Sequence, residues 1–140
     1  MITLIKSATI IDSSSPFHQQ KKDILIQDGR IRKIDSKIPS KKEYTIVERE
    51  NLHVSCGWFD TSVSLGEPGY EERETIKNGL QVAAKSGFTA VAVNANSNPI
   101  IDNKSAVEFL INKAHGFATN LHPIAALTQG SKGINMAELY

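Results

Sequence analysis

The run Trp58-Phe59-Asp60-Thr61-Ser62-Val63-Ser64-Leu65-Gly66-Glu67-Pro68-Gly69 passes directly from a short apolar strand pattern into turn chemistry. A strand over 58–63 is expected, and Glu67-Pro68-Gly69 supplies the residues that redirect a chain. Downstream, Ile76, Leu80, Ala83 and Ala84 recur at three- and four-residue spacing. That spacing predicts a helix over 71–86, with acidic residues in its first turn and Gly87 as its stop. A buried strand over 88–93 follows. Val107, Leu110, Ile111 and Ala114 then share one face of a second helix over 104–115, capped by Asp102 or Asn103 and ended by Gly116. A third strand is expected over 121–127 and a loop over 128–133, with residues 134–140 beginning another helix. Strands alternating with helices are the signature of a parallel sheet with crossover helices, an α/β architecture.

Upstream of Trp58 the pattern is different. Residues 1–12 are apolar and β-branched and end in Ser13-Ser14-Ser15-Pro16, which reads as one strand closed by a turn. Asp23-Ile24-Leu25-Ile26-Gln27 and Arg30-Ile31-Arg32-Lys33-Ile34 flank Asp28-Gly29, a pair that accepts the positive φ angles of a tight hairpin. Residues 36–42 hold Pro39 and form a loop, 44–48 another short strand, and 51–56 a continuation of the sheet. The expected organisation is a small β unit over 1–55 and strand-helix units over 56–140.

Taken together, these segments resemble the dihydroorotase branch of the cyclic amidohydrolases. Asp60 to Gly69 is similar to that family's Asp-x-His-Val-His-x-Arg-Glu-Pro-Gly. Glu74-Thr75-Ile76-Lys77-Asn78-Gly79 is similar to its Glu-Thr-Ile-x-x-Gly, and Gly87-Phe88-Thr89-Ala90-Val91 to its Gly-Phe-Thr-Thr-Val. Asn94-Ala95-Asn96-Ser97-Asn98-Pro99 stands where the family has Met-Pro-Asn-Thr-x-Pro. Val107-Glu108-Phe109 and Pro123-Ile124-Ala125-Ala126-Leu127-Thr128 continue the likeness, which runs from about residue 23 to residue 133.

The resemblance implies the N-terminal strands of a small β-sandwich domain followed by the first βα units of a TIM-type (β/α)8 barrel. It also implies a metal site that this sequence lacks. Ser62 and Ser64 occupy the positions of two zinc-binding histidines, and Gly66 occupies that of a substrate-binding arginine. Residues two apart on a strand face the same side, so a His-x-His pair aims two imidazoles at one metal. Neutral hydroxyls are poor zinc ligands beside imidazole, thiolate or carboxylate. In the family, zinc polarises the ring amide and supplies a hydroxide nucleophile near neutral pH. The arginine offers a planar fork for the substrate carboxylate, which glycine does not. No catalytic residue is therefore expected in this segment. Asn96 is the one substrate-type position that carries over. It either hydrogen-bonds substrate, as the family role implies, or is a polar loop residue satisfied by nearby backbone. Asp60 is expected to bond backbone around the old metal pocket, and Glu67 to be a turn and helix-start carboxylate.

Composition narrows the partners. With 140 residues, 40% of them hydrophobic, and a net charge of +1, the chain is near neutral and able to bury a core. Its basic residues lack the aromatic interleaving of a nucleic-acid binder, and Lys21-Lys22 and Lys41-Lys42 read as solvated surface. No apolar run approaches the roughly 20 residues of a membrane span. The single cysteine, Cys56, suits a reducing compartment, so a cytoplasmic location is expected, with the thiol small and buried. A closed eightfold barrel takes about 250 residues, and the roughly 85 after the β unit suffice for two to three strand-helix units. The expectation is the N-terminal part of a longer protein, with further family ligands beyond Tyr140. His18, His53, His115 and His122 are not paired at ligand spacing; His18 falls in a polar loop, and His53, His115 and His122, at strand beginnings and a helix end, are expected on the far side of the barrel from its mouth.

Two functions follow from the resemblance. One is a non-catalytic dihydroorotase-like scaffold in pyrimidine biosynthesis, a homo-oligomer that partners aspartate carbamoyltransferase. The other is an active zinc-dependent amidohydrolase, opening or closing dihydroorotate, a hydantoin or allantoin with ligands from beyond Tyr140.

Overall fold

Apolar β-branched segments pair first with their sequence neighbours, and the computed structural model, which describes residues 1–139, shows this in each of the two units into which the chain divides after Cys56. The first unit is a five-stranded sheet of β1 (Ile2–Ile11), β2 (Lys21–Gln27), β3 (Arg30–Asp35), β4 (Thr45–Val47) and β5 (His53–Ser55). β1 pairs antiparallel with β2 and is long enough to take both β4 and β5 in parallel, at opposite ends of its other edge. The expected hairpin is present. Asp28 and Gly29 have φ of 52° and 73°, the pair of left-handed residues that a two-residue turn requires.

One buried carboxylate organises this unit. Asp23 Oδ1 accepts from Ser7 N at 2.8 Å, at the bulge of β1, and Oδ2 accepts from Ile38 N at 2.9 Å. A buried carboxylate is stable only when its oxygens are satisfied, and these two amides tie the strand irregularity to the 36–42 loop.

The second unit is a parallel sheet of β6 (Trp58–Val63), β7 (Phe88–Val93) and β8 (Asn120–Pro123), in that order. α1 (Ile76–Lys85) and α2 (Lys104–Ala114) form the crossovers between them. Leu65, Ile76, Leu80, Val91, Val93, Ile101, Leu110 and Leu121 form the core where the helices meet the sheet, with Val63 packed against it. Fully burying each such aliphatic side chain contributes about 1.5–3 kcal/mol. The alternation of a strand then puts Ala90, Ala92 and His122 on the opposite face of the sheet.

Three elements differ from expectation. α1 starts at Ile76, because Thr75 takes the N-cap and its Oγ1 accepts from Asn78 N at 3.2 Å. The acidic residues 71, 72 and 74 therefore lie before the helix. β8 ends at Pro123, after which Ile124 N and Ala126 N donate to Val93 O and Ile101 O, outside any strand ladder. Residues 134–139 are not helical. Met136 bridges Thr128 and Glu138 bridges Asn103, so this segment folds back over the start of α2; Tyr140 lies outside the described residues. Of the two possible caps for α2, Asn103 is used, its Oδ1 accepting from Ala106 N at 3.0 Å, while Asp102 Oδ2 accepts from Gly130 N. Among the described residues no helix is long and apolar enough to cross a membrane.

Candidate functional site

In parallel α/β sheets, function gathers where the strands end and the chain turns into the following helices. For β6 and β7 those ends are residues 62–70 and 94–99. The alternation that sends Val63 and Leu65 into the core leaves Ser62 and Ser64 exposed between them. Each serine has a side-chain partner across the sheet. Asn94 Nδ2 donates to Ser62 Oγ at 3.1 Å, and Asn96 Nδ2 donates to Ser64 Oγ at 2.7 Å. Both pairs are separated by 32 residues, so they extend the parallel β6–β7 pairing beyond its backbone ladder. Asn94 N also donates to Val63 O at 2.9 Å, which fixes the register at this point.

This arrangement changes the reading of Asn96. Its partner is the Ser64 hydroxyl, where the sequence left open a choice between substrate and backbone. Asn94 stands outside the expected site residues. The signal for it was available in the two-residue spacing of Asn94 and Asn96, matched to that of Ser62 and Ser64, once β6 and β7 are taken as parallel neighbours.

Asp60 bonds backbone as expected: Oδ1 accepts from Ser62 N at 3.0 Å. It pairs in register with Val91 and lines a groove of about 340 Å³ shared with Leu80, Ala83 and Ser64. It is thus on the helix-facing side of the sheet, where Ser64 also lines the groove.

Gly66 is buried within a closed turn. Its N–H donates to Glu74 O at 2.9 Å, and its carbonyl accepts from Tyr70 N at 2.8 Å. Glu67 anchors the same turn to both helices. Oε2 accepts from Ile76 N, the first residue of α1, at 3.0 Å, and Oε1 pairs with Lys113 Nζ of α2 at 3.0 Å. A carboxylate at a helix N-terminus satisfies an orphan amide and opposes the positive end of the helix dipole. Further along, Gly69 N donates to Glu71, and this bond holds the Glu71 carboxyl below its ordinary range.

The donor chemistry here does not fit the zinc that the resemblance implies. The two ligand positions carry neutral hydroxyls already engaged by amides, and among the described residues no group of three or more His, Cys, Asp or Glu side chains converges to hold an ion. His18 Nδ1 accepts from Asp12 N, and His53 Nδ1 lies 2.7 Å from Asn51 O. His115 caps α2. His122 departs from the expectation that it lies on the far side. It sits in β8 in register with Ala92, one residue before the strand's C-terminal end, with its ring edge-on to Phe59. Cys56 also departs: it is exposed, with its Sγ 3.8 Å from Asp12 Oδ2. It lines an apolar groove of the first unit together with Ile10, Ile24, Ile31, Ile34 and Val54.

A family model described as "Dihydro-orotase-like" matches residues 53–139. The chain is 39% identical over 141 residues to a dihydroorotase of Ruminiclostridium cellulolyticum, covering 99% of this chain and 32% of that protein. It is 36% identical over 140 residues to a dihydroorotase of Geotalea daltonii, covering 99% of this chain and 33% of that one. It therefore spans about a third of the length of the curated relatives it matches. Among solved structures, an L-hydantoinase (dihydropyrimidinase) from Arthrobacter aurescens superposes with a TM-score of 0.75 at 17% identity, over 90% of this chain and 28% of that one. A dihydroorotase structure superposes with a TM-score of 0.61 at 16% identity, over 92% of this chain and 32% of that one. At such identities these likenesses speak for the fold alone. They are those of a mixed α/β chain similar to the amidohydrolase TIM-barrel enzymes.

Proposed function

The chain belongs to the dihydroorotase-like family, and from that premise we propose that it is part of a non-catalytic member of pyrimidine biosynthesis, one that uses the barrel as a scaffold. The observation that carries this reading is the pair of Ser–Asn hydrogen bonds at the ends of β6 and β7. Where the family motif presents two imidazoles, these residues present hydroxyls and carboxamides that satisfy one another. Hydroxyls of this kind compete poorly with imidazole or carboxylate for zinc, and nothing at Gly66 can grip a carboxylate. The proposed role is structural, as a cytoplasmic homo-oligomer that assembles with aspartate carbamoyltransferase. The partner is suggested by family resemblance.

A second reading is favoured by the 36–39% identity to proteins called dihydroorotases. In it, the protein is an active cyclic amidohydrolase whose metal is held by ligands beyond Tyr140. The full-length protein, assayed with dihydroorotate and with carbamoyl aspartate in zinc-replete buffer, separates the two. The scaffold reading expects no ring opening or closure, together with co-purification of aspartate carbamoyltransferase. Turnover in either direction would establish the second reading.

A further inference from the structure

The three replaced positions are not equivalent. Ser62 and Ser64 are exposed, and their hydroxyls accept from the carboxamides of Asn94 and Asn96. Gly66 is buried, and the space beside its Cα is occupied. A Cβ added there would lie 1.9 Å from Tyr70 O, 2.7 Å from the Tyr70 carbonyl carbon and 3.0 Å from Glu74 O. All three are backbone atoms, so no rotamer change relieves the overlap. Both carbonyls are also held in place. Tyr70 O accepts from Arg73 N at 3.0 Å, and Glu74 O accepts from Gly66 N at 2.9 Å. Gly66 is not among the residues with positive φ. Glycine is needed here for room, not for an unusual backbone angle. The basic residue of the turn itself, Arg73, stacks on the Tyr70 ring with its guanidinium carbon 4.5 Å from the centroid.

We infer that Gly66 is the specificity-determining position of this mouth: the turn closed around it excludes a side chain that could grip a substrate carboxylate, and this loss is fixed in the backbone. Restoring the two metal-ligand positions alone does not reverse it. The inference rests on the scaffold reading and deepens it. Under it, recognition of an anionic ring is lost at a different level from metal binding. The metal positions are open to side-chain exchange, whereas the arginine position requires the 66–74 turn to be rebuilt.

The test uses the full-length protein in four forms: unmutated, Gly66→Ala, Ser62→His/Ser64→His, and Ser62→His/Ser64→His/Gly66→Arg. Thermal unfolding should place the double histidine variant within about 2 °C of the unmutated protein, and Gly66→Ala at least about 3 °C below it. Calorimetry with dihydroorotate should show no gain in affinity from the double to the triple variant. A Gly66→Ala variant that melts with the unmutated protein would overturn the inference, because a Cβ would then fit. So would a triple variant that binds dihydroorotate at least tenfold more tightly than the double. Turnover by the unmutated protein would instead remove the scaffold reading, and the melting comparison would still decide whether position 66 admits a side chain.

Discussion

Two rows of side chains leave the end of β6, one residue out of step, and they have different fates. Val63 and Leu65 enter the core with Ile76, Leu80, Val91 and Leu121, as the family's fold demands. Ser62 and Ser64 stay exposed, paired with Asn94 and Asn96, at positions where the resemblance puts metal ligands. β6 ends at Val63, so beyond it the two sets differ by burial: Leu65 is enclosed in the core while Ser62 and Ser64 stay exposed.

The comparison breaks most visibly on the packing side. Leu80 is fully buried against the sheet, and Leu80→Ala should cost about 2–5 kcal/mol, read as a lower urea midpoint at unchanged slope. A loss below about 1 kcal/mol would mean that the packing row tolerates change as readily as the mouth does. Glu67 tests the link between the rows, since it ties the mouth turn to the first amide of α1 and to Lys113. Glu67→Gln should cost about 1 kcal/mol, because Lys113 is half exposed and its ion pair is screened. Much of that loss should disappear in a Lys113→Met background if the pair is the source. The smallest effect belongs to the mouth row itself. Ser62→Ala and Ser64→Ala should each change stability by no more than about 0.5 kcal/mol, as expected for exposed hydroxyls, and should leave zinc content unaltered.

The same division explains what could be read before the structure. The strands over 58–63 and 88–93 and the Asp28-Gly29 hairpin were legible because periodicity and turn chemistry are local signals. The start of α1 was not. Its acidic residues looked like a first turn, but Thr75 is a stronger cap and Glu67, distant in sequence, supplies the carboxylate that the first amide uses. The assignment of Ser62, Ser64 and Gly66 to ligand positions rests on resemblance alone. That Asn94 and Asn96 satisfy those serines, and that Gly66 is walled in by Tyr70 and Glu74, depends on parallel register and backbone contact, which no one-dimensional pattern encodes. The surroundings of Cys56 and His122 were misjudged for the same reason: exposure and facing direction are set by neighbours from other strands.

The central claim is that hydroxyls held by amides leave this mouth without a metal. The direct measurement is zinc stoichiometry by mass spectrometry on full-length protein, purified in zinc-replete medium and dialysed against metal-free buffer. The account predicts well under one zinc per chain. One or more tightly held zinc ions per chain, with absorption-edge scattering placing an ion beside Ser62 and Ser64, would contradict it.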